Sequence, residues 1–162
     1  MDRIEALENA LTIVSAHTNQ FRVEDARRLT GPGLMWDLPG AVIDLFFEDA
    51  DVDSGLVAEL WQTHARRVLD ALGWQNQQLT SRRFEGGMNL AISAPMDQLY
   101  SSIFAAQTAW HFCAAALLGQ AYSDFNKMIA DVKGVMAKEA NPQLISLIEA
   151  SVQHGVDILC DD

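Results

Sequence analysis

Apolar residues recur at steps of three and four through residues 4–16 (IEALENALTIVSA), where Ile4, Leu7, Leu11 and Val14 share one face and predict a leading helix. The pattern then breaks in RRLTGPGLMWDLPG (27–40) before the short β-branched and aromatic run AVIDLFF (41–47). Pro39-Gly40 in front and the acidic cluster Glu48 to Asp53 behind mark that run as a strand. Ser54 offers an N-cap for a helix to about Leu72, with Leu56, Leu60, Val68, Leu69 and Leu72 at helical spacing and Gly73 as the stop. LTSRRFE (79–85) and MNLAIS (88–93) across Gly86-Gly87 read as a hairpin.

The second half is helical in pattern. Pro95 opens a long helix to about Leu118 that Gly119 closes, another covers about 122–138, and Asn141-Pro142 caps a last one ended by Gly155. The terminal VDILC (156–160) is a candidate strand. The class is therefore α+β: a small, mainly antiparallel sheet packed against several helices, with a helical C-terminal half. Strand 41–47 and hairpin 79–93 are expected in one sheet, covered by helices 54–72 and 96–118. One domain of 162 residues results: leading helix 1–21, sheet-containing part 22–95, helical part 96–162.

Charge narrows the partners. With 22 acidic and 11 basic side chains the net charge is -11, a field that repels nucleic-acid phosphates and anionic lipid. The uncharged stretch Gln98 to Ser123 is interrupted by Ser101, Ser102, Gln107, Thr108 and His111, so it reads as a helix buried inside the protein or at a subunit contact, not a membrane span. Cys113 and Cys160 have neither disulfide-framework nor zinc-knuckle spacing, and the acidic N-terminus is unlike a secretory signal; a reduced, cytoplasmic setting follows.

The loop ahead of strand 41–47 is unlike a phosphate-binding loop, because its glycines lead into a strand and no lysine occurs before Lys127. Gly31-Pro32-Gly33 and Pro39-Gly40 read as two turns swinging Leu34, Met35 and Trp36 under the sheet; an exposed Trp36 forming a ligand lip is the functional alternative. Arg27-Arg28, Arg66-Arg67 and Arg82-Arg83 are either a convergent carboxylate- or phosphate-recognising patch or surface ion pairs with acidic segment 48–53. The acidic run Glu48, Asp49, Asp51 and Asp53 is the corresponding site for basic groups, or a solvated turn.

RRLTGP (27–32), ARRVLDALGW (65–74), RRFEGGMNLAISAPMDQLY (82–100) and NPQLISLIEASVQHGVDILCDD (141–162), in that order, resemble the N-terminal domain of cyanophycin synthetases and, more closely, of cyanophycin-synthetase-like Mur ligases. The resemblance covers about residues 22–162. It implies a domain that normally precedes ATP-grasp and Mur-ligase modules adding amino acids to an arginine-aspartate polymer. Some relatives carry a His-x-x-Glu-His metal-hydrolase pattern on the helix after the tyrosine. Anchored on Tyr100, the matching positions here are Ile103, Ala106 and Gln107, and two residues on they are Ala105, Thr108 and Ala109, so the ligands are gone in both registers.

The resemblance therefore implies a non-catalytic binding or accessory domain, presenting Arg27, Arg28, Trp36, Arg66, Arg67, Arg82 and Arg83 to an Asp/Arg-type peptide polymer or a ligase partner, with no catalytic residue, metal or cofactor. The alternative is a small metal-dependent hydrolase of such a polymer with an unrecognised site. His111 and Cys113 are expected to be buried on their uncharged helix. The apolar faces of the three C-terminal helices predict a homodimer or a complex with a separate ligase subunit.

Overall fold

In the computed structural model, which describes Glu5 and residues 20–158, an antiparallel four-stranded sheet lies against helices. The strands are β1 (Phe21–Leu29), β2 (Gly40–Phe47), β3 (Leu79–Phe84) and β4 (Gly87–Ser93), in the order β1-β2-β4-β3. The helices are α1 (Ser54–Ala71), α2 (Leu99–Leu118), α3 (Phe125–Glu139) and α4 (Pro142–Gln153), with one 3-10 turn at Met96–Gln98 ahead of α2. The α+β class and the shared sheet follow the hydrophobic pattern. The leading helix at 4–16 lies outside the described residues apart from Glu5.

Alternation divides the sheet into two faces. Ala41, Ile43 and Leu45 of β2 and Met88, Leu90 and Ile92 of β4 enter the core against α1 and α2. Val42, Asp44 and Phe46, paired with Ala91, Asn89 and Gly87, lie on the opposite face. α2 is apolar all round because it is covered all round: it packs on α1, α3, β1 and β2, and its Phe112, Cys113 and Ala114 are fully buried.

Four local expectations are corrected. Residues 21–29 form a strand, of which 27–29 fall in the stretch 27–40 where the sequence pattern breaks: five of the nine are charged. A bulge at Glu24, between Val23 and Asp25, flips the alternation, so Phe21 and Val23 share the inner face with Ala26 at an irregular spacing. Asp53, not Ser54, caps α1, accepting from Gly55 N (2.9 Å) and Leu56 N (3.1 Å). The buried stripe of α1 runs through Val57, Trp61, Ala65 and Val68, while Leu56 stays exposed and Leu60 half-buried. Val156, Asp157 and Ile158 carry no strand, and Leu159 and Cys160 lie outside the described residues.

The start of α2 is capped from a distance. Gln98 supplies no side-chain cap. Instead the Glu139 carboxylate, at the end of α3, accepts from Tyr100 N (2.6 Å), Ser101 N (2.7 Å) and Ser101 Oγ (2.6 Å). A negative charge on the first-turn amides satisfies orphan donors and opposes the helix dipole. Asp97 in turn accepts from Asn141 N (2.8 Å), joining the α3–α4 corner to the same turn. On α4 only Ser151 is buried, and Leu147 and Val152 are exposed, as is Val156 beyond its end.

Candidate functional site

β3 is an edge strand, and α1 runs beside it. Between them lies a groove of ≈ 680 Å³ lined by Gln62, Thr63, Arg66, Gln78 and Leu79. A second hollow of ≈ 390 Å³ shares Gln62 and Leu79 and extends the groove past the acidic Glu59 and Trp61 to Thr80 and Ser81. Helical spacing places Gln62 and Arg66 one turn apart on α1.

The floor of the groove is held by specific bonds. Arg66 donates from Nη2 to Gln77 O (2.9 Å) and from Nη1 to Gln75 O (3.3 Å), and lies 3.8 Å from Asp70 Oδ1. Ser93 Oγ accepts from Gln78 N (2.7 Å) and donates to Gln77 Oε1 (2.7 Å). Together these clamp the α1–β3 connection so that β3 begins in a defined register. Ser93 N donates to Gln78 O over 2.8 Å, so Gln78 and the alternate residues Thr80, Arg82 and Phe84 bond toward β4. The backbone groups of Leu79, Ser81 and Arg83 therefore point away from the sheet, and no hydrogen bond among the described residues occupies them.

The arginine pairs are distributed over the surface. Arg66 lines the groove and Arg67, one residue on, sets its guanidinium 3.8 Å from the centre of the Phe125 ring. Arg82 pairs across the ladder with Asn89 on the sheet face away from α1, and its Nη1 donates to Leu34 O (3.3 Å). Arg83 borders a hollow at the far end of β3 with Glu48, Asp49 and Glu85. Arg27 lies on the same face as Arg82 but on β1, with β2 and β4 between, where it bonds Asp44. That bond chiefly, with Asp25 adding less, raises the Arg27 pKa. Asn89 Nδ2 also donates to Asp44 (2.6 Å), and Arg28 pairs along the ladder with Ala41. Thus Arg66, Arg82 and Arg83 surround β3, while Arg27, Arg28 and Arg67 do not.

Trp36 is half-buried, with its indole nitrogen enclosed and without an acceptor among the described residues; the turn beneath it is closed by Gly33 N donating to Trp36 O (3.1 Å). Leu34 is 94 % exposed, so the expectation that Leu34, Met35 and Trp36 all tuck under the sheet fails at Leu34. There the loop is anchored through its backbone by Arg82 and leaves the side chain in solvent. The acidic run is used locally: Glu48 pairs with Arg22 (2.9 Å), Asp49 accepts from Asp51 N (2.9 Å), and Asp53 caps α1.

His111 and Cys113 are buried as their helix predicts. His111 Nε2 lies 2.8 Å from the Ser123 hydroxyl, while its Nδ1 has no partner. A serine beside an imidazole is the first half of a nucleophile–base pair; no described residue orients the far nitrogen, and the contact ties α2 to the loop before α3. Burial lowers the His111 pKa; burial and then the nearby Arg67 charge lower that of His64. Both therefore bind a proton more readily unfolded, so the stability gained by keeping them neutral is complete above the ordinary value of 6.5 and is lost as pH falls below it. Urea midpoints are expected to drop from about pH 7.5 to about pH 5.5, and a His64→Gln, His111→Gln double variant to show a flatter profile.

Burial pushes the Cys113 thiol up to about 12. Native protein should leave Cys113 unlabelled by a thiol reagent over hours, with labelling following denaturation; rapid native labelling would contradict the burial. Among the described residues no group of three or more His, Cys, Asp or Glu is placed to share a metal, and no helix is long and apolar enough to cross a membrane. Gln62, Thr63 and Gln78 carried no signal in the sequence, since isolated polar residues gain meaning only from the strand edge beside them. Comparisons with protein-family models, curated proteins and solved structures return no match for this chain.

Proposed function

We propose that this is a non-catalytic binding domain that holds an extended, carboxylate-bearing peptide chain in the groove between α1 and β3, acting in the cytoplasm. The observation that carries the reading is the elongated polar groove beside a strand edge that no described strand pairs, with Arg66, Arg82 and Arg83 around it. A linear groove suits a linear ligand, and Arg66, Arg82 and Arg83 offer guanidiniums to carboxylates alongside the acidic Glu59 of the same lining. The resemblance to the N-terminal domains of cyanophycin-synthetase-like enzymes supports an aspartate-containing polymer as the ligand class.

Calorimetric titration with polyaspartate and with an aspartate-arginine polymer tests the reading. Binding is expected, weakening with added salt. Exposed charges contribute about 0.5–1 kcal/mol each, so an Arg82→Gln, Arg83→Gln double variant should bind about five- to thirtyfold more weakly. Arg27→Gln, away from the groove, should leave the affinity unchanged. Absence of binding by either polymer at concentrations up to about 1 mM would reject the proposal.

A further inference from the structure

We propose that the loop from Gly119 to Asp124, between α2 and α3, is an acid-released clasp: uncharged His64 on α1 and His111 on α2 hold it shut, and their protonation lets it lift from the helices. It works apart from the peptide groove and does not depend on it. Residues 119–124 are all exposed, and Gln120 N donating to Ala115 O (2.9 Å) is the last backbone hydrogen bond that ties them to α2. Beyond it, among the described residues, the only hydrogen bond that reaches Ala121, Tyr122 or Ser123 is the one between His111 Nε2 and Ser123 Oγ (2.8 Å). The Tyr122 ring lies 6.0 Å from the His64 ring and 6.1 Å from that of Phe112. Two buried histidines on two helices thus meet two adjacent residues of one exposed loop.

This corner is built for neutral rings. A neutral imidazole donates from one nitrogen and accepts at the other, whereas an imidazolium donates from both. His111 Nδ1 is enclosed without a partner, so charging the ring leaves a buried cationic donor with no acceptor among the described residues, a costly state. His64 has Arg67 as its charged neighbour, and the Arg67 guanidinium is fixed 3.8 Å over the Phe125 ring. On α3 the nearby charges are taken up locally: Asp124 accepts from Lys127 N (3.1 Å), and Lys127 pairs with Asp131 (3.2 Å). α2 carries no charged residue, and Tyr122 and Cys113 are the remaining titratable neighbours.

Acid therefore adds two positive charges beside Arg67 with no carboxylate bonded to either ring among the described residues. Tyr122 and Ser123, exposed and lying against the two rings, are the cover that can move aside to hydrate them. Their departure also loosens Phe125, at the start of α3, from Phe112, 5.3 Å away. Burial lowers both histidine pKa values from 6.5, with Arg67 adding to the effect at His64. The open loop thus binds protons more readily; the closed loop is favoured above that value and loses its advantage as pH falls below it.

Chymotryptic cleavage after Tyr122, its rate divided by that of a free peptide of residues 118–126 at the same pH, reads the opened fraction. Each histidine that opening releases should raise this ratio up to about tenfold between about pH 7.5 and about pH 5.5. His64→Gln and His111→Gln, uncharged polar replacements, should each remove one such factor and together abolish the rise. Ser123→Ala gives a readout that leaves the core untouched: deleting the exposed hydroxyl that His111 holds should raise the ratio about two- to tenfold at about pH 7.5 with the fold intact. A ratio equal at the two pH values, a rise that persists in the double glutamine variant, or Ser123→Ala indistinguishable from the wild-type protein would overturn the clasp. Cleavage after Phe46 and Trp61 rising in step with that after Tyr122 would do so as well, because acid would then be unfolding the whole domain.

Discussion

Gly40→Ala is expected to cost this protein a large part of its stability. Gly40 opens β2 at φ +156°, opposite Ser93 of β4. A Cβ there would lie 2.0 Å from Ile92 O and 2.8 Å from Ser93 Cα. Both are backbone atoms of the central strand pair, so relief requires the β2–β4 ladder to open. Forced overpacking costs about 1–3 kcal/mol, and a strained backbone conformation adds about 1–3 kcal/mol. Against the usual total of about 5–15 kcal/mol, a loss of about 2–6 kcal/mol leaves a marginal fold. Urea titration of the variant beside Gly31→Ala decides it: at Gly31 an added Cβ meets nothing within 4 Å, and the change should stay within about 0.5 kcal/mol. Equal stability of the two variants would show that β2 and β4 are farther apart than described here.

Trp61→Ala should be comparably damaging, for a different reason. Trp61 is 1 % exposed and stands at the centre of the α1 stripe, between Val57 and Ala65. Emptying a buried site of that size costs about 3–5 kcal/mol. The indole also borders the hollow that reaches Thr80 and Ser81, so its loss should reshape that hollow along with lowering stability. Trp61→Phe separates packing from polar chemistry. The Trp61 indole nitrogen is buried without an acceptor, so phenylalanine keeps much of the ring while relieving an unsatisfied donor, and should cost well under half as much as alanine. If phenylalanine proved as harmful as alanine, the indole N–H would have a partner that the described residues do not show.

The sequence by itself determined the elements whose signals are local. β2 is legible because a β-branched and aromatic run is bounded by turn residues, and the β3–β4 hairpin because Gly86 allows the tight turn at φ +80°. The length of α2 follows from Pro95 and Gly119, and the burial of His111 and Cys113 from the lack of charge on their helix. Each of these depends on the preferences of neighbours in the chain, which pattern alone contains.

What only the tertiary structure decided involves partners far apart in sequence. β1 is a strand despite its charges because β2 supplies its hydrogen bonds, and a single bulged residue hides the alternation that would announce it. The acceptor for the first amides of α2 is Glu139, 38 residues past Ser101, a spacing that no capping rule covers. The face that α1 buries is set by α2 first and then by the sheet edge on which it packs, which is why Trp61 is enclosed and Leu56 is not. The candidate site shows the same division. Three arginine pairs are plain in the sequence, but sheet order separates Arg27 from Arg82 by two strands, and the packing of α1 beside β3 is what sets Arg66, Gln62 and Thr63 along the edge from Leu79 to Arg83. Residue types show which chemistry is available; the crossing of helix and strand determines which groups share one groove, because that proximity arises from long-range burial and ladder pairing, not from local preference.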